Sequence, residues 1–64
     1  MKKVLQKIRL ERFKKSYSQS YLGERIGIGQ RAYGKLERGE TELTLSRLQK
    51  IADALEVDIK DLIS

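Results

Sequence analysis

The chain has 64 residues, with 14 Lys or Arg against 9 Asp or Glu, a net charge of +5, and neither Cys nor His. That length suits one small domain, and the missing Cys and His remove disulfide staples, thiolate metal sites and the commonest catalytic base, so no cofactor, metal or enzymatic activity is expected. No run of about 18 apolar residues occurs and no secretory leader precedes the charged start, so the expectation is a cytoplasmic protein without membrane association.

Helical spacing dominates the whole chain, with no Pro, no repeat and no low-complexity tract. A first helix is expected over about Lys2 to Lys15. Val4, Leu5 and Ile8 form one apolar cluster along it, and Leu10, Phe13 and Tyr17 form another. Together they wrap more of the helix than one stripe would, so some of them should be partly exposed and open to a partner. Ser18 is a cap for a second helix, about residues 18–26. Gln19, Leu22, Gly23 and Ile26 share one side of it, with Leu22 and Ile26 buried. Gly23 costs roughly 1 kcal/mol against Ala in a helix interior, which implies close approach of another helix. Gly27 supplies a left-handed stop, Ile28 plugs the turn, and Gly29 opens a third helix, about residues 29–37.

The third helix has an unusual face. At about 100° per residue, Gln30, Gly34, Arg38, Arg31 and Lys35 fall within about 140° of one another. Ala32, Tyr33 and Leu36 point the other way. Gly34 therefore leaves a gap among cations and an amide, where something could approach closely. Arg38-Gly39 ends this helix and Glu40 to Leu43 form a loop. Thr44 caps a fourth helix, in which Leu45, Leu48, Ile51, Ala52 and Leu55 keep three-four spacing and Arg47 and Lys50 lie outside the stripe. Asp58 caps a short fifth helix carrying Ile59, Leu62 and Ile63, with Val57 as an anchoring plug. The expected fold is an all-α bundle of five short helices.

Helix, short glycine turn, helix is the helix-turn-helix arrangement. Ser18-Gln19, Leu22, Gly23, the turn Gly27-Ile28 and the closing Leu36-Glu37-Arg38-Gly39 resemble the lambda-repressor-like (Cro-type, xenobiotic-response-element) DNA-binding domains. The tail LTLSRLQKIADALEVDIKDLI resembles the fourth and fifth helices of that family. The resemblance covers about Leu5 to Ile63 and implies roles by position. Gln30, Arg31 and Lys35 match positions that face the major groove. An amide can bond the N6/N7 edge of adenine, and arginine can fork onto guanine or hold a phosphate. Gln19 matches a residue that holds backbone phosphate, and Arg38 should reach a flanking phosphate. Tyr33 is large where the family often has Val or Ile, so its hydroxyl is expected at the rim, towards phosphate. Arg12 and Glu37 match a structural ion pair. Gly29 replaces a frequent Ser or Thr cap. Glu40 and Glu42 lie where related repressors often carry basic residues, and carboxylates there weaken phosphate binding.

The charge distribution agrees with a polyanionic partner. Residues 1–39 carry eleven Lys or Arg and three Glu, whereas residues 40–64 carry three Lys or Arg and six Asp or Glu. The leading expectation is a sequence-specific regulator of transcription that places the third helix in the major groove of double-stranded DNA. Such domains bind as two-fold homodimers, and Ile59, Leu62, Ile63 and Leu43 are candidates for the dimer contact. The competing expectation is an antitoxin-like or other protein-interaction module with DNA binding secondary. A nucleotide loop at GIGQRAYG is excluded because no strand precedes it.

Overall fold

A computed structural model describes the chain from Lys2 to Ser64, with side chains from Lys3 onward. Five helices follow in order: α1 (Lys2–Lys14), α2 (Gln19–Arg25), α3 (Gln30–Glu37), α4 (Leu45–Leu55) and α5 (Ile59–Ile63). The described residues contain no strand, so the fold is all-α. Three helix starts are set by side chains that accept from otherwise unpaired backbone N–H groups. Ser18 accepts from the Tyr21 N–H at 2.9 Å, Thr44 from the Arg47 N–H at 3.1 Å and Asp58 from the Lys60 N–H at 2.9 Å. Gly29 begins α3 without a side-chain cap.

The first four helices end in one recurring closure. After α2, the Gly27 N–H donates to the Glu24 carbonyl and the Ile28 N–H to the Gly23 carbonyl, at 3.2 and 2.8 Å. Gly27 sits in the left-handed region at φ +85°, which its missing Cβ permits. Gly39 does the same after α3 at φ +79°, while Ser16 and Glu56 adopt φ 58° and 60° after α1 and α4. The two non-glycine stops carry no sequence flag. α1 ends at Lys14, one residue before the expected Lys15.

The core takes Ile8 from α1, Leu22 from α2, Ile26 just beyond it, Tyr33 and Leu36 from α3, and Leu43 from the following loop. Leu48, Ile51, Ala52, Ala54 and Leu55 of α4 and Leu62 of α5 complete it. Val4, Leu5, Tyr17, Ile28, Val57 and Ile59 pack around its edge. Burying each such Leu or Ile contributes roughly 1.5–3 kcal/mol. Leu45, expected in the α4 stripe, is instead 72% exposed. It stands at the first position of α4, before that helix has settled onto the core. Ala32 is also exposed, because the buried side of α3 is centred on Tyr33, Leu36 and Glu37 and leaves Ala32 on its flank.

α2 packs against α3 more closely than any other two helices meet. Gly23 makes this possible. A Cβ there would stand 2.9 Å from the Ile28 carbonyl oxygen, 3.1 Å from that of Gly29 and 3.2 Å from the Tyr33 Cβ. The close approach is thus to the turn itself as well as to α3. A small residue at 23 and a large one at 33 fill one space between them. That packing fixes how α3 stands out from the bundle.

Candidate nucleic-acid interface

The buried side of α3 anchors a hydrophilic outer side. Gln30, Arg31 and Lys35 are exposed, and they flank the exposed Ala32. Beneath them Tyr33 and Leu36 are buried in the core. The three side chains expected to face a groove are therefore all accessible on a helix anchored through its opposite side.

The C-terminal end of α3 is tied down by Glu37. Arg12 of α1 donates from Nε to Glu37 Oε2 at 3.0 Å and from Nη2 to Oε1 at 2.8 Å. Its Nη1 donates to the Tyr17 carbonyl at 3.0 Å. Gln19, at the start of α2, adds an amide hydrogen bond to Oε1 at 3.3 Å. Both charged residues are buried, Arg12 at 8% exposure and Glu37 at 3%. Burial works against the Glu37 charge, but the hydrogen bonds from Arg12 and Gln19 overcome it and hold the carboxyl below its ordinary range. Its own hydrogen bonds to Glu37 and the carboxylate's charge raise the Arg12 guanidinium above its ordinary value, against the opposing effect of burial. One carboxylate thus joins α1, α2 and α3.

Tyr33 does not reach the rim. It is fully buried, and its hydroxyl lies against the Arg12–Glu37 pair without a hydrogen-bond partner. Burial pushes its ionisation upward, and the neighbouring Glu37 adds to the effect. A phosphate contact from Tyr33 is ruled out by this depth. The side chain leaves a Cβ packed close to Gly23 and carries its hydroxyl inward to the Arg12–Glu37 pair rather than along the helix surface.

Gly34 is also placed differently from the expectation of an open gap. It is buried, because the Arg38 side chain folds back across it. A Cβ at 34 would stand 3.1 Å from Arg38 Nη1 and 3.4 Å from Gln19 Oε1. The glycine makes room for a guanidinium of the same helix. Arg38 Nε in turn donates to Glu40 Oε2 at 2.6 Å, and this bond lowers the exposed Glu40 carboxyl. Gln19, Gln30, Arg31, Gly34 and Arg38 line one shallow depression on the surface. The structure brings together four residues expected to touch DNA and adds Glu40, which competes for one of them.

Of the residues expected at a dimer contact, Leu62 and Leu43 are buried in the core and unavailable to a partner. The short α5 turns Leu62 inward, leaving Ile59 half-buried and Ile63 55% exposed. On α1, Leu10 and Phe13 are 56% and 60% exposed, with the Arg12 guanidinium 4.8 Å from the Phe13 ring centre. Tyr17 is half-buried and packs on Tyr21, the ring centres 4.4 Å apart and the planes tilted by 40°. Among the described residues, no helix is long and apolar enough to cross a membrane.

Arg9 of α1 joins the Arg12–Glu37 cluster without a matching position in the family resemblance. Its Nε stands 3.6 Å from Glu37 Oε1, and its side chain is half-exposed. Its spacing of three residues before Arg12, which puts both on one helix face, was the available signal.

A family model described as helix-turn-helix matches residues 5–62. The chain is 37% identical over 60 residues to the cryptic phage CTXphi transcriptional repressor RstR of Vibrio cholerae, a match spanning 94% of this chain and 54% of that protein. It is 43% identical over 54 residues to y4aM of Sinorhizobium fredii, named as an uncharacterized HTH-type transcriptional regulator, across 84% of this chain and 38% of that protein. The chain thus spans about half or less of these curated relatives. No solved structure gives a significant match.

Proposed function

We propose that this chain, which belongs to the helix-turn-helix family over residues 5–62, is a sequence-specific, double-stranded-DNA-binding regulator of transcription in the cytoplasm. The observation that carries the reading is the exposed trio Gln30, Arg31 and Lys35 on α3, above a side of the helix locked by Tyr33, Leu36 and Glu37. In the major groove, the Gln30 amide reads adenine through N6 and N7, and Arg31 forks onto guanine or phosphate. Lys35 reads a base or clamps the backbone. Gln19 and Arg38 hold phosphates on either side, as the positions of the two residues around the α3 depression support. The protein is a non-enzymatic regulator.

A two-fold dimer doubles this small footprint on half-sites about one helical turn apart. Ile63 and Ile59 supply its apolar contact. The exposed Leu10 and Phe13 on α1 favour a second, subordinate reading, in which a protein partner docks there and DNA binding is secondary.

Titration against duplexes selected from a random pool tests the main reading. Selected sites should bind on the order of a thousandfold more tightly than random duplex at about 150 mM salt. Equal affinity for both, with no salt dependence, would remove the DNA-binding reading.

A further inference from the structure

We infer that Arg9 of α1 is a further phosphate-binding residue, seating a backbone phosphate beside Arg38 and extending the DNA footprint from α3 onto α1. The inference rests on the DNA-binding reading above. Three observations carry it.

The first is place. Gln6, Arg9, Leu5, Glu37 and Arg38 line a surface depression at the C-terminal end of α3. Arg38 also lines the depression shared by Gln19, Gln30 and Arg31. Arg38 is common to both, so the depression that holds Arg9 adjoins the one lined by Gln30 and Arg31.

The second is charge. Glu37 already takes two N–H groups of Arg12 and one of Gln19. Glu40 takes the Nε of Arg38. Arg9, Arg12 and Arg38 thus share two carboxylates, and Arg9 holds the weakest claim, 3.6 Å from Glu37 against 2.8 Å for Arg12. Its cation is the one left over.

The third is geometry. Arg9 approaches Glu37 through Nε, and among the described residues it makes no hydrogen bond. Its two terminal nitrogens have four N–H groups to offer, a fork that fits two phosphate oxygens. At 46% side-chain exposure the guanidinium is open to water while its inner edge is held near Glu37. A cation restrained in that way loses little freedom on meeting a phosphate.

Binding of a selected duplex and of random duplex, each measured across a salt series, tests Arg9→Ala and Arg9→Lys. Lys60→Ala, on α5, is the control, since α5 packs on α1 and α4 rather than α3. Arg9→Ala should weaken both duplexes by the same factor and reduce the salt slope by about 1. Arg9→Lys should keep the wild-type slope, and Lys60→Ala should leave it unchanged. A lower thermal midpoint for Arg9→Ala with an unchanged slope would make Arg9 a structural partner of Glu37 and overturn the proposal. An equal slope change in Lys60→Ala would overturn it too, by making the effect one of net charge. If the wild-type chain binds neither duplex, the DNA-binding reading itself fails and takes the Arg9 site with it.

Discussion

Two ion pairs bracket the C-terminal end of α3, and they differ mainly in water. Arg12 and Glu37 meet through two hydrogen bonds in a buried site, with side-chain exposures of 10% and 1%. Arg38 and Glu40 meet through one short bond at the surface, with exposures of 51% and 53%. In the dry pair neither side chain can turn to water without leaving a buried charge exposed to nothing but the core, so the bond sets where α3 stands. In the wet pair either partner can turn to solvent or to a passing ion at little cost. The same chemistry thus serves as scaffold on one side of Glu37 and as an exchangeable contact on the other. On the proposed DNA-binding reading, a phosphate exchanges with Glu40 at Arg38, while the buried Arg12–Glu37 pair stays intact.

The comparison breaks most visibly at Arg12. Arg12→Ala leaves the Glu37 carboxylate buried with only Gln19 and the more distant Arg9 to offset it. The expected loss is about 3 kcal/mol, near the lower end for a broken buried pair. In a domain of this size each kcal/mol moves the thermal midpoint by roughly 4–8 °C, so calorimetry would register a large fall. An unchanged midpoint would show that the pair does not hold the fold. Acid titration reads the same bond. The folded Glu37 carboxyl lies below its ordinary value of 4.5, so the folded chain binds fewer protons than the unfolded chain there. The stabilisation is complete above that ordinary value and is lost as pH falls through the lower, folded one.

The smallest expected effect is at Glu40. Glu40→Gln leaves a hydrogen-bond acceptor for Arg38 but removes the competing charge. Affinity should rise by about two- to fivefold on every duplex, while the midpoint stays where it was. A fall in affinity would mean that Glu40 orients Arg38 instead of competing for it.

Much of this arrangement was legible in the residues. Ser18, Thr44 and Asp58 announced three helix starts because a capping oxygen works through its own neighbours, and Gly27 and Gly39 announced two stops for the same local reason. Ser16 and Glu56 did not, since neither residue type marks a left-handed turn. The depth of Tyr33 was hidden because it depends on Gly23, ten residues away in sequence and 3.2 Å from the Tyr33 Cβ once a Cβ is imagined there. The burial of Gly34 is hidden for a related reason. Helical angle places it beside Arg38, but only the folded side chain shows that Arg38 lies on top of it. Leu62 and Ile63 are adjacent apolar residues in a five-residue helix, too short for periodicity to say which one turns inward. Local signals set the elements, and contacts between elements set the site.

On the proposed reading, α3 reads bases through Gln30. Competition binding of wild-type chain and Gln30→Ala, on a selected duplex and on its single-base variants, tests it most directly. The substitution should erase preference at one base pair per half-site, worth about 1–3 kcal/mol of discrimination, and leave the other positions as they were. A uniform loss of affinity across every variant, with all preferences intact, would contradict it.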